Sequence, residues 1–159
     1  MRWRTATEEE TEALGARLAR TRPQIDAQPV VLYLRGELGS GKTTLARGFA
    51  RAAGVSSPVR SPTYTLLEFY PAGATTLVHL DLYRVQSPEE LESLGLREWA
   101  VPKHVWLIEW PERGGGRLPE ADLEVGLTAG PLGHDIEVTA SSALGARWLV
   151  QLESEPRTP

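Results

Sequence analysis

Residues Gly36-Glu37-Leu38-Gly39-Ser40-Gly41-Lys42-Thr43 meet the pattern G-x-x-x-x-G-K-[ST] at every fixed position. This run constrains the fold because it works only between a strand and a helix. Ahead of it, the apolar stretch Pro29 to Leu34 reads as a buried parallel strand. Behind it, Thr44 to Ala53 has helical periodicity and ends at Gly54. The glycines let successive N–H groups converge into an anion nest at a positive helix end. Lys42 is then placed to reach the β- and γ-phosphates of a nucleoside triphosphate, and the Thr43 hydroxyl to ligate Mg²⁺. The predicted nucleotide-binding residues are Glu37, Leu38, Gly39, Ser40, Gly41, Lys42, Thr43 and Thr44.

A chain of 159 residues can bury a core as one domain, predicted over 1–155, with 156–159 as a frayed tail. Cysteine is absent, which excludes disulfides and Cys-based zinc sites. A net charge of −4 argues against a surface built for nucleic acid, so no DNA partner is expected. The opening Met1-Arg2-Trp3-Arg4 leads into polar residues, and no stretch approaches a transmembrane span, so the prediction is a cytoplasmic protein with no membrane association. Only two lysines occur, Lys42 and Lys103. A chain that uses arginine for nearly all other positive charge keeps lysine in the loop, which fits a chemical need there.

Thr7-Glu8-Glu9-Glu10 is a capping box opening a helix over about 8–20, stopped by Pro23. Ser61 to Tyr70, a turn that continues as an extended run, and Thr75 to Tyr83, joined through Pro71-Ala72-Gly73-Ala74, predict an antiparallel hairpin. Ser87-Pro88 starts a short helix, and Val105 to Ile108 is a second buried strand. Leu123 to Leu127 and Ile136 to Thr139 form a second hairpin turning at 130–133, and Ser141-Ser142 caps a helix over 142–153. The fold class is α/β: a P-loop NTPase-like three-layer sandwich with a mixed, mostly parallel sheet and helices on both faces.

A phosphate loop needs an acidic partner at the end of a neighbouring strand. Asp81 follows Leu77-Val78-His79-Leu80, and Glu109 follows Val105-Trp106-Leu107-Ile108. Lys42, Asp81 and Glu109 are the candidate catalytic residues. Spacing alone leaves open which acid touches the metal and which orients the attacking water. Ser61, Thr63, Tyr64 and Thr65 read either as a switch segment approaching the γ-phosphate or as a turn into the next strand. Trp110, just past its strand, is a nucleotide-contact candidate, whereas His79 and Trp106 read as packing. Arg84 is either a charge-stabilising finger or a surface ion-pair partner.

The blocks Gly36 to Thr44, Ser61 to Tyr64, His79-Leu80-Asp81-Leu82-Tyr83-Arg84 and Leu107-Ile108-Glu109-Trp110-Pro111-Glu112 together resemble the TsaE (YjeE) family over about residues 5–128. These are small ATPases of bacterial tRNA threonylcarbamoyladenosine biosynthesis. The resemblance implies ATP and Mg²⁺ as ligands, and action with the TsaD–TsaB heterodimer. That complex modifies adenosine 37 of tRNAs reading ANN codons, so tRNA is met indirectly. By position, Thr43 and Glu109 would hold Mg²⁺, Asp81 would act close to the metal or the attacking water, and Thr11 would lie against the nucleotide. Family members often carry a basic residue in the late hairpin, where this chain has His134.

Catalysis on such a loop is mostly positioning and electrostatics, and hydrolysis by the isolated protein is expected to be slow. Two alternatives use the same loop. One is a small-molecule kinase, for which Arg113 and Arg117 would have to form a lid. The other is an ATP-dependent binding module without an essential hydrolysis step.

Overall fold

The computed structural model describes residues 1–24 and 27–156, so the expected tail lies, from residue 157 onward, outside the described residues. In chain order the elements are β1 (Arg2–Thr5), α1 (Glu8–Thr21), β2 (Val30–Arg35), α2 (Lys42–Ala53), β3 (Leu67–Ala72) and β4 (Thr75–Asp81). A 3-10 segment (Pro88–Leu94), α3 (Leu96–Trp99) and β5 (His104–Glu109) follow. After two 3-10 turns, Pro111–Arg113 and Gly115–Arg117, come β6 (Leu123–Gly130), β7 (Gly133–Ala140) and α4 (Ala143–Ser154).

The strands form one seven-stranded sheet in the order β1-β7-β6-β2-β5-β4-β3. β2 runs parallel to both neighbours, β5 and β6, and β4 runs parallel to β5. Antiparallel pairs close both margins: β3 on β4 at one side, β6–β7–β1 at the other. The mixed, centrally parallel sheet and both hairpins agree with the sequence.

Alternation along β2 sorts its side chains between two cores. Leu32 and Leu34 pack with Leu14 and Leu18 of α1, Leu45 and Phe49 of α2, and Trp148 and Leu152 of α4. Val31 faces the other layer with Trp106, Ile108, Leu91 and Leu96. That second layer is thin, made of 3-10 turns and the one-turn α3. Helices therefore lie on both faces, but unequally.

Two glycines bring α1 and α2 together. A Cβ at Gly15 would stand 2.1 Å from the Leu45 carbonyl oxygen, and one at Gly48 would stand 2.1 Å from the Glu12 carbonyl oxygen. Backbone meets backbone at both places. The α1 cap forms as its sequence predicts: Thr7 Oγ1 accepts from the Glu10 N–H at 3.2 Å, and Glu10 Oε2 accepts from the Ala6 N–H at 2.6 Å.

Some elements differ from the sequence reading. β1 was not foreseen. It pairs antiparallel with β7, with Arg2 facing Glu137 and Arg4 facing Asp135 across the ladder. β3 continues through Pro71, which the sequence assigns to the turn. An edge strand tolerates proline because one side of its ladder is unpaired. The segment after Ser87 is a 3-10 helix, and α2 begins at Lys42 rather than Thr44.

Candidate nucleotide site

The loop between β2 and α2 opens at the carboxyl ends of β2, β4 and β5. Gly41 has φ 97°, a left-handed conformation suited to glycine, and so turns the chain directly into α2. Lys42 is only 4% exposed. Its Nζ donates to the Gly36 carbonyl at 2.7 Å and to the Glu37 carbonyl at 2.8 Å. The Trp110 ring covers the ammonium from 4.3 Å. Burial pulls the Lys42 pKa below its ordinary value, while the charges of Glu109, Asp81, Glu112 and Glu37 act in the opposite sense.

Across from the lysine, Thr43 Oγ1 stands 3.2 and 3.1 Å from the two oxygens of Glu109. Glu109 Oε1 also takes a contact from His79 Nε2 at 2.8 Å. Asp81 is gripped by three donors: its Oδ2 accepts from the Ser61 hydroxyl and, at 3.0 Å, from Thr63, while its Oδ1 accepts from the Tyr83 N–H at 2.9 Å. Both acids are buried.

These groups line a cleft of about 490 Å³. Of the residues singled out in the sequence, Leu38, Gly39, Gly41, Lys42, Thr43 and Thr44 form its loop wall. Asp81, Glu109, Ser61, Thr63, Trp110 and His134 form the rest, joined by Glu8 and Tyr83, which the sequence reading did not select. Tyr83 packs on Trp110 with ring centroids 5.1 Å apart.

Other candidates stand behind or beside the cleft. Ser40 is buried within the loop, and Glu37 is turned to solvent with its carbonyl on Lys42. Thr11 is fully buried, bonded to Thr5 Oγ1 at 2.8 Å and to the Thr7 carbonyl at 3.1 Å. A Cβ added at Gly41 would lie 3.6 Å from both the Thr11 methyl and the His134 ring, so these two back the loop closely. Tyr64 is exposed with Arg84 over its ring at 4.3 Å, and Thr65 bonds Glu68. The Ser61–Thr65 stretch is thus divided, its first hydroxyls on Asp81 and its remainder facing outward. His79, read from sequence as packing, is buried but belongs to the site through Glu109. Its period-two spacing from Asp81 was the signal available.

The donor set suits Mg²⁺. Thr43 and Glu109 offer hard oxygen ligands, and among the described residues no group of three or more His, Cys, Asp or Glu side chains forms a closed metal cage. A cation that keeps waters and phosphate oxygens needs few protein ligands.

A phosphate loop at the end of a central parallel strand, faced by acids from two further strands, defines an α/β protein of the P-loop NTPase-like class. A family model described as "Threonylcarbamoyl adenosine biosynthesis protein TsaE" matches residues 5–134, and the chain belongs to that family. It is 45% identical over 116 residues to the tRNA threonylcarbamoyladenosine biosynthesis protein TsaE of Haemophilus influenzae, covering 73% of each chain. It is 35% identical over 157 residues to the protein of the same name from Bacillus subtilis, covering 99% of this chain and 94% of the relative. The crystal structure of Bacillus subtilis YdiB superposes with a TM-score of 0.79 at 30% identity, covering 96% of this chain and 93% of that one. Among the described residues no helix is long and apolar enough to cross a membrane.

Proposed function

We propose that this protein binds ATP with Mg²⁺ in the cleft, hydrolyses it slowly, and thereby supports threonylcarbamoylation of adenosine 37 in tRNAs reading ANN codons, acting in the cytoplasm on a TsaD–TsaB complex. The observation that carries the reading is the closeness of the Thr43 hydroxyl to both Glu109 oxygens, beside a buried Lys42 at the mouth of the loop. A hydroxyl on the loop helix and a carboxylate on an adjacent strand are the two protein ligands that Mg²⁺·ATP requires.

The backbone from Glu37 to Thr44 takes the phosphates on its N–H groups. Lys42, steadied by the Gly36 and Glu37 carbonyls, places positive charge where negative charge gathers on the β–γ bridging oxygen. Thr43 and Glu109 would hold Mg²⁺, which would supply further positive charge to the phosphates. Asp81, aimed by Ser61, Thr63 and the Tyr83 N–H, orients the attacking water. Trp110 and Tyr83 shield the lysine side, with Trp110 beside the nucleotide and Thr11 supporting the loop from behind.

A kinase lid is disfavoured. Arg113 donates to the Val85 carbonyl at 3.2 Å and lies behind the wall residues Tyr83 and Trp110, 5.5 and 5.6 Å from their rings, while Arg117 is paired with Glu89 and Glu92, so neither guanidinium lines the cleft.

The test is ATP hydrolysis by the purified protein, alone and with TsaD, TsaB and tRNA, with Lys42→Ala as control. Slow activity that changes on adding the partners and vanishes in the control is expected. Activity indifferent to the partners would overturn the tRNA-modification reading, and phosphorylated small-molecule product would favour a kinase.

A further inference from the structure

His79 sits where a group that no ligand reaches touches a group that a ligand must reach. It is fully buried on β4 and stands two residues before Asp81, so both side chains leave the same face of the strand. Its Nε2 is 2.8 Å from Glu109 Oε1. An ionised carboxylate only accepts hydrogen bonds, so the hydrogen in this contact belongs to the ring. His79 Nδ1 has no partner among the described residues. A neutral imidazole carries one N–H, and placing it on Nε2 satisfies the carboxylate while leaving only a lone pair at Nδ1.

The carboxylate of a glutamate turns freely unless something holds it. Here His79 holds Oε1 at 2.8 Å, the shortest contact the carboxylate makes, while the Thr43 hydroxyl straddles both oxygens at 3.2 and 3.1 Å. The geometry points to His79 as a positioning residue that fixes the Glu109 carboxylate so that it and the Thr43 hydroxyl together meet the divalent cation accompanying the nucleotide. The inference rests on the nucleotide reading above. His79 itself touches neither cation nor nucleotide. Partners of this kind orient metal-binding carboxylates and set affinity through them.

The experiment follows binding of a fluorescent ATP analogue, with Mg²⁺ titrated and in EDTA, for wild type, His79→Leu and His79→Gln, alongside thermal melting. The glutamine amide nitrogen takes the place of Nε2 and can donate to Glu109; leucine cannot. His79→Leu is expected to raise the half-saturating Mg²⁺ concentration by about tenfold. Its binding in EDTA should stay unchanged, and His79→Gln should recover most of the Mg²⁺ response. Equal losses in both variants, or no change in His79→Leu, would overturn the inference and leave His79 as packing alone. Binding in wild type that ignores Mg²⁺ would instead remove the functional reading, and this inference with it. If His79→Leu does not fold, the ring ¹⁵N shifts of His79 in wild type decide. An Nε2–H tautomer whose resonance moves when Mg²⁺ and nucleotide are added supports the role. An Nδ1–H tautomer, or no movement, overturns it.

Discussion

Asp81 and Glu109 stand directly opposite each other in the parallel register of β4 and β5. Two buried carboxylates therefore share one end of the cleft, yet their partners differ: Asp81 is held by Ser61 and Thr63 and by the Tyr83 N–H, and Glu109 by Thr43 and His79.

That division predicts separable effects. Glu109→Gln and Asp81→Asn should each slow single-turnover hydrolysis by about 100-fold, the scale seen when a positioned catalytic group is removed, with much less loss of nucleotide affinity. Lys42→Ala should lose affinity and rate together. Rapid-quench kinetics set beside fluorescence titration would show the split.

Lys42 should impose a pH dependence on stability. Its pKa is lowered from the ordinary 10.5 by burial, so between the folded value and 10.5 the unfolded chain binds more protons. The unfavourable burial of charge is fully present below that window and is relieved as pH rises through it. The urea-unfolding free energy of wild type minus that of Lys42→Met should therefore climb on the alkaline side, while nucleotide affinity falls as the amine loses its charge.

Gly15→Ala and Gly48→Ala should destabilise the fold although alanine is the better helix former. Each Cβ would meet a backbone carbonyl at 2.1 Å, which no side-chain rotation relieves. Overpacking of about 1–3 kcal/mol or more outweighs a propensity gain of about 1 kcal/mol. Chemical denaturation of the two variants would measure the net loss.

The Ser61 and Thr63 hydroxyls both end on Asp81 Oδ2. Removing them in Ser61→Ala/Thr63→Val should loosen the segment without unfolding the sheet. The Leu66 amide, bonded to the Pro62 carbonyl at 2.7 Å, is the reporter. Its hydrogen-exchange protection should drop by about tenfold, less than two independent bonds to a charged group would give, because the donors share one oxygen.

The phosphate loop and its two acids were legible because each is a local pattern: fixed glycine spacing, or an acid closing an apolar run. What escaped depends on partners far along the chain. His79 on an apolar strand reads as packing until the β4–β5 register brings Glu109 beside it. Arg2-Trp3-Arg4-Thr5 alternates like a strand, but its pairing charges Asp135 and Glu137 lie more than 130 residues away. Pro71 reads as a turn residue because nothing local says that its strand will be at an edge. Gly15 and Gly48, inside helical patterns, were available as signs of close helix contact, but only the tertiary packing shows that they face each other's helices.

The central position of β2 also sets when the cleft can form during synthesis of the chain. The strand that carries the phosphate loop is complete early in the chain, but both strands that flank it come late. Even the Val31 N–H is bonded by Asp122, 91 residues downstream. Such distant pairings form slowly because the intervening chain must be ordered first. A nascent chain that has emerged only through α2 carries the whole loop motif without the sheet that shapes it, so nucleotide binding during translation would report arrival of β6 rather than of the loop.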